Sequence, residues 1–249
     1  MWSYIFLGIL QGIFEWIPIS SEGVVALASK FFLKITEPVD LALFLHLGTL
    51  FAVLWYFRKD WENVLTLKDV KLIRFLIIAT VISLIIGYPL YKMVKGMAVG
   101  NSLLIVMGFG LLGTAYFHKT KRISEINFNK LAIITGLLQG LSVIPGLSRS
   151  GATVFGLSLG RLTPQETLKI SYMMSAPVVL ALSFYLFLTN PTIIFETWPS
   201  LIFSFLVGIL TLHFLMKISE KINFFKFALF FSLLCFLGAV IGFLLAMKF

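Results

Sequence analysis

Charged residues are scarce in this sequence, and cysteine is almost absent. Only 12% of the 249 residues are charged, while 59% are hydrophobic; the charged share is about half of that in an ordinary soluble domain. This balance excludes a soluble globular protein. Cys235 is the only cysteine, which excludes an internal disulfide and a cysteine-based metal cluster. The basic residues form no patch interleaved with aromatic rings, so we expect no binding of nucleic acid.

Long apolar runs dominate the sequence instead. About 20 apolar residues cross the hydrocarbon core of a bilayer as a helix, and six runs are candidates: residues 41–57, 73–91, 101–117, 170–188, 200–216 and 227–247. Two more apolar regions, 2–33 and 131–160, are interrupted in the middle by proline, glycine, serine and charge. Each predicts two half-helices around a loop. We therefore expect an all-α polytopic membrane protein in one domain, 1–249, with six full transmembrane helices and two re-entrant broken pairs.

The two interrupted regions resemble each other. Gly8-Ile9-Leu10-Gln11-Gly12 recurs as Gly136-Leu137-Leu138-Gln139-Gly140, and a proline with serines close behind it follows both. Each region is followed by three full spans, an odd number, so the two halves of the chain must have opposite orientations. This pattern is typical of an inverted repeat whose broken helices meet near the midplane, where such folds place their binding sites. We place the repeats at about 1–117 and 131–247.

The distribution of basic residues predicts the orientation in the membrane. Lysine and arginine collect in the cytoplasmic loops of membrane proteins. Here 14 of the 20 lie in the loops 58–74, 118–130, 161–169 and 217–226. We place these loops in the cytoplasm, so region 2–33 enters the membrane from outside and region 131–160 from the cytoplasm.

Three charged residues, Glu15, Glu22 and Arg149, lie inside the interrupted regions. A charge at the bilayer centre costs about 2.5 to 3.5 kcal/mol on insertion scales, so each must be paired, hydrated or used. We expect the three to converge. Broken helices add hydroxyls, free N–H groups and helix N-termini, which attract anions, and Arg149 adds a planar donor suited to phosphate oxygens. The combination predicts a phosphate site.

Glu15 needs a further explanation, because a carboxylate repels phosphate. Two explanations stay open. Glu15 binds a divalent cation that also takes diphosphate oxygens, or it acts as a general base towards Ser21 or a water molecule.

These segments are similar to the two signature segments of the undecaprenyl-diphosphate phosphatase (bacitracin-resistance) family. The first contains Gln11, Glu15, Trp16 and Pro18-Ile19-Ser20-Ser21-Glu22-Gly23, and the second is Pro145-Gly146-Leu147-Ser148-Arg149-Ser150-Gly151-Ala152-Thr153. Leu45-His46-Leu47-Gly48-Thr49 and Ser171-Tyr172-Met173-Met174-Ser175 also resemble family segments. The similarity covers residues 8 to about 180, and the last 60 residues match in hydropathy alone.

The resemblance implies an enzyme of the cell membrane that removes the terminal phosphate of undecaprenyl or a similar polyprenyl diphosphate, recycling the lipid carrier of envelope glycans. It implies Mg2+ or Ca2+ as cofactor, for which the chemistry of the residues makes Glu15 the expected ligand. It also implies catalytic roles for Glu15, Arg149 and the proposed nucleophile Ser21. The implied substrate-binding residues are Gln11, Ser20, Glu22, Ser148, Ser150 and Thr153, to which we add Gln139 because it repeats Gln11. A structural role stays open for both glutamines, as bonds between helices, and for Ser20 and Ser150, as partners of free backbone. A homodimer is considered as the assembly.

One position departs from the family pattern. The family has a histidine considered catalytic where this chain has Val24, although archaeal members are similar to this chain in lacking it and in having glutamate at the position of Glu22. Valine carries no proton, so the role would pass to Glu15, Glu22, Ser21 or a metal-bound water. His46, in a predicted span, is a candidate for the missing imidazole, and helix packing is its alternative role. A polyprenyl-phosphate transporter or flippase without hydrolysis stays the alternative function, because inverted repeats with broken helices are typical of transporters.

Overall fold

The computed structural model describes residues 2–33, 38–94, 126–144, 147–189 and 192–246, with 105, 108–109, 111–113 and 115–116 between them. Every regular element longer than a turn in these ranges is an α-helix, which confirms the all-α prediction. The helices are α1 Trp2–Phe14, α2 Ser21–Leu33, α3 Pro38–Tyr56, α4 Arg58–Leu65, α5 Val70–Val94, α6 Phe128–Leu141, α7 Arg149–Ser158, α8 Pro164–Thr189, α9 Thr192–Ser219 and α10 Phe224–Ala246.

Within the described residues, four helices are long and apolar enough to cross a membrane. These spans are Val70–Met93, Pro164–Leu188, Thr197–Ser219 and Phe224–Leu244, and they correspond to four of the predicted spans. The predicted span 41–57 corresponds to α3, and the predicted span 101–117 lies largely outside the described residues. The chain is therefore a multi-pass helical membrane protein, and the number of six full spans stays a prediction.

A sharp bend separates α3 from α4. The two helices form an angle of 81° at Phe57. The next five residues carry four charged side chains, Arg58, Lys59, Asp60 and Glu62, which the hydrocarbon core does not tolerate without partners. The chain therefore turns where the apolar run ends, and α4 lies within the loop 58–74 that the basic residues place in the cytoplasm.

The long helices carry large apolar side chains on their outer surface. Ile85 of α5, Phe184 of α8 and Leu210 of α9 are 64%, 65% and 68% exposed. Many other large apolar side chains are exposed as well, among them Phe51, Ile77, Phe187 and Phe214. Soluble monomers rarely expose so much apolar surface. It is the surface expected against lipid tails.

Both interrupted regions form two short helices around a break, as expected. The pairs are α1 and α2, broken at residues 15–20, and α6 and α7, broken at residues 142–148. Pro145 and Gly146 of the second break lie outside the described residues. With 10 to 14 residues each, these helices are at most about 21 Å long, and one alone does not cross the roughly 30 Å hydrocarbon core.

Close helix packing explains the recurring glycines. A Cβ atom on Gly8 of α1 would clash with the carbonyl oxygen of Ser200 in α9, and one on Gly136 of α6 would lie 2.8 Å from that of Ala79 in α5. Small residues at such crossings let helix backbones approach each other closely in membranes. The repeated motif thus packs α1 on α9 and α6 on α5.

Side chains from the second half of the chain bind the backbone of the first break. Ser150 Oγ donates to the carbonyl of Ile17 at 2.7 Å, and the hydroxyl of Tyr172 in α8 donates to the carbonyl of Trp16 at 3.0 Å. The indole of Trp16 is fully buried and donates to the carbonyl of Gly208 at 2.8 Å. Irregular backbone at membrane depth requires such partners. These bonds bring the two breaks together.

Candidate active site

A polar pocket lies where the two breaks meet. It is lined by Glu15, Ser20, Ser21, Glu22, His46, Ser142, Leu147, Ser148, Arg149 and Ser150. A larger groove of about 370 Å³ lies elsewhere, between α4, α5 and α8, and its lining is apolar apart from Thr80 and the indole of Trp61. Since the groove offers almost no polar groups for a reaction, the small polar pocket is the candidate site.

The buried carboxylate of Glu15 is the centre of this pocket. Its Oε1 accepts a hydrogen bond from Arg149 Nη2. Its Oε2 contacts three groups: Gln11 Nε2 at 2.8 Å, Ser21 Oγ at 3.0 Å and His46 Nε2 at 3.1 Å. A charge removed from water needs such a full set of partners. The predicted convergence of Glu15 and Arg149 is therefore present as a direct ion pair.

Arg149 is held between two acceptors. It is the first residue of α7, and its Nη1 donates to the carbonyl of Ser171 in α8 at 3.2 Å, while Nη2 donates to Glu15. Its side chain keeps 18% of its surface exposed. The planar guanidinium thus has a fixed orientation at the wall of the pocket, with surface left for a phosphate oxygen.

Two helix N-termini point into the same pocket. Ser21 begins α2 and Arg149 begins α7, and both residues line the cavity. Ser148 is the N-cap of α7, with its Oγ accepting from Gly151 N at 3.2 Å. Helix N-termini attract anions through their free N–H groups and the helix dipole. The pocket therefore combines the features of a phosphate site that the sequence predicts.

The remaining serines of the pocket divide their hydrogen bonds between pocket and backbone. Ser20 Oγ accepts from Gly23 N at 3.1 Å, which caps the start of α2. The Oγ atoms of Ser148 and Ser150 lie 3.0 Å apart. Ser150 also donates to the backbone of the first break. The alternative raised for Ser20 and Ser150, that they satisfy free backbone, therefore applies to both, and both also line the pocket.

Three predicted substrate-binding residues, Gln11, Gln139 and Thr153, lie outside the pocket lining. Gln139 Nε2 donates to Ser83 Oγ at 3.0 Å, which bonds α6 to α5. Thr153 Oγ1 lies 2.6 Å from Ser171 Oγ and 3.0 Å from the carbonyl of Arg149. Gln11 reaches the site only through Glu15. The structure thus gives Gln139 the helix-bonding role and gives Thr153 a place behind Arg149.

Ser142 lines the pocket, although no sequence motif pointed to it. Leu147, which belongs to the second signature segment, lines the pocket as well. Ser142 is the C-cap of α6, directly after Leu141, and its Oγ donates to the carbonyl of Gln139 at 2.6 Å. A serine at a helix end satisfies free backbone in many proteins. A serine at this position therefore does not by itself indicate a binding site. His46 lines the pocket as well, and Val24, where the family has histidine, is not among the lining residues of the described chain.

The residues of the pocket fit a divalent cation at Glu22 better than at Glu15. Both oxygens of Glu15 are taken by donors, whereas no side chain or N–H group in the described ranges donates to Glu22. The described residues contain no group of three or more His, Cys, Asp or Glu arranged for a metal. Mg2+ is commonly held by one or two carboxylates together with substrate phosphates. Glu22 fits that arrangement.

Comparison with known proteins agrees with these features. The family described as bacitracin resistance protein BacA matches residues 4–239. Proteins named undecaprenyl-diphosphatase are similar over most of their length: that of Methanococcoides burtonii is 31% identical, covering 90% of this chain and 93% of the relative. That of Methanothrix thermoacetophila is 34% identical, covering 88% and 89%, and that of Methanopyrus kandleri is 34% identical, covering 92% of each.

The chain belongs to the bacitracin resistance protein BacA family. This confirms the resemblance seen in the two signature segments. The match also extends to residue 239, well beyond residue 180, where the recognisable motifs end. The last helices are almost wholly apolar, so they contain few distinctive residues from which a family motif can be recognised.

Proposed function

We propose that this protein is an integral membrane phosphatase of polyprenyl diphosphates. It hydrolyses undecaprenyl diphosphate, or a similar lipid, to the monophosphate and inorganic phosphate, and so recycles a lipid carrier. The observation that carries the proposal is the Glu15–Arg149 pair at the meeting point of two helix N-termini. The relatives named undecaprenyl-diphosphatase support the same substrate.

In the proposed reaction, Arg149 and the N-termini of α2 and α7 hold the terminal phosphate and its developing charge. Glu15 Oε2 takes the proton of the Ser21 hydroxyl, to which it is already hydrogen-bonded. The Ser21 oxygen attacks the terminal phosphorus, and the bond from this phosphorus to the bridging oxygen breaks, releasing the lipid monophosphate. Water then attacks the phosphorus of the phosphoserine, the bond from this phosphorus to Ser21 Oγ breaks, and inorganic phosphate leaves. The proton held by Glu15 returns to the Ser21 oxygen. In the alternative, Glu15 activates a water molecule that attacks directly.

We also propose the predicted cation, Mg2+ or Ca2+, as cofactor. When bound, it neutralises part of the diphosphate charge. Glu22 would hold it, together with phosphate oxygens of the substrate, and Glu15 would join only by giving up one of its present donors.

The finer architecture is part of the proposal: six full spans, two re-entrant pairs and an inverted repeat in the plasma membrane, with a homodimer as the assembly. The helix packing supports the repeat. In the proposed repeat α1 corresponds to α6, and α5 corresponds to α9, and each half-helix packs on the long helix of the other half. A two-fold relation between the halves requires this reciprocal contact.

Phosphate release by the purified protein tests the proposal. The wild type in detergent with Mg2+ should release inorganic phosphate from a C55 polyprenyl diphosphate. Arg149→Ala should release at least about a hundredfold less, since a single oxyanion donor is worth roughly 10²–10³ in turnover. Arg58→Ala is the matched control. Arg58 is exposed, and its guanidinium donates to the carbonyl of Trp55 and lies over the Trp55 ring, away from the pocket.

Removal of Arg149 leaves a buried carboxylate unpaired, at a cost of about 3 to 5 kcal/mol, so the variant must elute as a single species. If Arg149→Ala does not elute as a single species, Arg149→Lys replaces it in the test. Lysine keeps the positive charge but lacks the planar guanidinium. Near-normal release by either variant would contradict the site. A wild type that binds the lipid, moves it between leaflets and releases no phosphate would favour the transporter.

A further inference from the structure

One histidine reaches the pocket from outside the two interrupted regions. His46 lies in α3, and its imidazole lines the pocket beside Glu15 with 13% of its side chain exposed. Of the other two histidines, His118 lies outside the described residues, and His213 is bonded to the hydroxyl of Tyr56 at 3.3 Å in an exposed position. His46 is thus the histidine that the described structure places at the site.

The ring of His46 is oriented by its own helix. Nδ1 lies 2.8 Å from the carbonyl oxygen of Ala42, four residues earlier in α3. A carbonyl only accepts hydrogen bonds, so Nδ1 carries a hydrogen. This bond directs the opposite nitrogen, Nε2, at Oε2 of Glu15. A carboxylate oxygen also only accepts, so Nε2 carries a hydrogen as well, and the ring pairs with Glu15 as an imidazolium. A histidine that only packed two helices would not need its second nitrogen at a carboxylate in the pocket.

Glu15 depends on side chains for its orientation. Helix α1 ends at Phe14, and Glu15 lies in the turn that follows, with its N–H still bonded to the carbonyl of Gln11 at 3.0 Å. This bond places the backbone of Glu15, and side-chain contacts orient its carboxylate. Gln11 reaches Oε2 from α1, Ser21 from α2 and His46 from α3. Contacts from three helices fix this oxygen in space. Without His46, Oε2 keeps the contacts of Gln11 and Ser21 and loses the third. The carboxylate would then turn more easily to present both oxygens to the guanidinium of Arg149, since two-pronged pairs are favoured.

We propose that His46 is a positioning residue of the active site. Its Nε2 contact holds Oε2 of Glu15 against the hydroxyl of Ser21 and keeps Glu15 from turning fully towards Arg149. The inference rests on the proposed phosphatase function. Groups that orient a functional side chain typically change activity by about 10- to 100-fold when they are removed, and the loss falls on turnover rather than on substrate binding.

The test compares three variants of the full-length protein in the phosphate-release assay. His46→Leu keeps an apolar side chain of related size without a donor, and His46→Gln keeps an N–H donor of similar reach. His213→Leu is the matched control. We expect kcat of His46→Leu to fall about a hundredfold with KM within about threefold of the wild type. His46→Gln should recover kcat to within about tenfold, and His213→Leu should behave as the wild type.

Two outcomes would overturn the inference alone: His46→Leu turning over within about threefold of the wild type, or His46→Gln losing as much kcat as His46→Leu. The second would mean that an amide donor does not replace the imidazole. If His46→Leu fails to elute as a single species, His46→Asn takes its place, because its donor is too short to reach Oε2. A wild type that releases no phosphate overturns the proposed function and this inference with it, and the same assay shows which has failed.

Discussion

Ser20 and Ser21 are neighbours with different surroundings. Ser20 Oγ accepts from the N–H of Gly23 and caps α2, whereas Ser21 Oγ donates to Oε2 of Glu15. A hydroxyl bonded to a carboxylate is placed to lose its proton during attack. The chain thus offers its own control for the identity of the nucleophile, one residue away.

We expect Ser21→Ala to lower turnover about a thousandfold or more, because the attacking oxygen is removed. Ser20→Ala should cost less than about tenfold, together with roughly 1 kcal/mol of stability from the lost cap. Phosphate release under saturating lipid measures both. Substantial turnover by Ser21→Ala would assign the attack to a water molecule activated by Glu15.

Glu22 lies in the same pocket as Glu15 but in a different electrostatic setting. Glu15 is paired with Arg149 and fully hydrogen-bonded, while Glu22 receives no donor from the part of the chain that the structure describes. An unpaired carboxylate near a phosphate site favours a bound cation.

We therefore expect a chelator to abolish phosphate release, and added Mg2+ or Ca2+ to restore it. Glu22→Gln should need at least about tenfold more cation for half-maximal activity, because one charged ligand is lost. Asp60→Asn is the control, since Asp60 pairs with Lys169 away from the pocket. Full activity of the wild type in chelator would contradict the proposed cofactor. An unchanged cation requirement in Glu22→Gln would contradict the assignment of Glu22 as its ligand.

At the scale of helices, glycine contacts position the two breaks. The half-helix α1 packs on α9 through Gly8 and Gly12, and α6 packs on α5 through Gly136 and Gly140. A Cβ at Gly8 or Gly136 would meet backbone atoms, which cannot move aside as a flexible side chain would. These contacts set how far each half-helix stands from its neighbour, and hence where the pocket lies.

Gly8→Ala should therefore destabilise the protein by about 1 to 3 kcal/mol through overpacking, lowering the unfolding temperature in detergent by roughly 2 to 12 °C. Gly113→Ala is the matched control. Gly113 is also helical, and a Cβ there would meet no described residue within 4 Å, so the unfolding temperature should stay the same or rise slightly. Equal effects of the two changes would contradict the packing account.

At the scale of the whole molecule, charge decides the orientation and apolar surface decides the environment. The two ends of α5 lie on opposite sides of the membrane in the predicted topology. Lys68 precedes the helix in the basic loop 58–74, and Lys92 lies in its last turn. The single buried cysteine, Cys235, makes this arrangement accessible to labelling.

In a Cys235→Ser background, Lys92→Cys should react with a membrane-impermeant thiol reagent added to intact cells. Lys68→Cys should react only after permeabilisation, because the positive-inside rule places its loop in the cytoplasm. Gel-shift labelling measures both. The reverse pattern would invert the topology and exchange the sides from which the two interrupted regions enter.

The sequence determined the helical membrane class and the chemistry of the site. Apolar runs of about 20 residues can only be helices when lipid surrounds them, and α5, α8, α9 and α10 fit that rule. Buried charges need partners at any position in a membrane, so Glu15 and Arg149 had to lie near a partner or a ligand. The serines beside the helix breaks indicated an anion, because their hydroxyls and the free N–H groups around them are hydrogen-bond donors. The inverted repeat and the six full spans stay predictions.

Only the tertiary structure decided which side chains face the pocket. Gln11, Gln139 and Thr153 lie outside its lining, while His46 and Ser142 lie within it. A soluble helix has a polar face towards water and an apolar face towards the core, so its sequence shows which side is buried. A membrane helix is apolar towards both lipid and protein, so its sequence says little about its rotation around its own axis. The rotation of α3, and with it the approach of His46 to Glu15, follows from packing against the other helices.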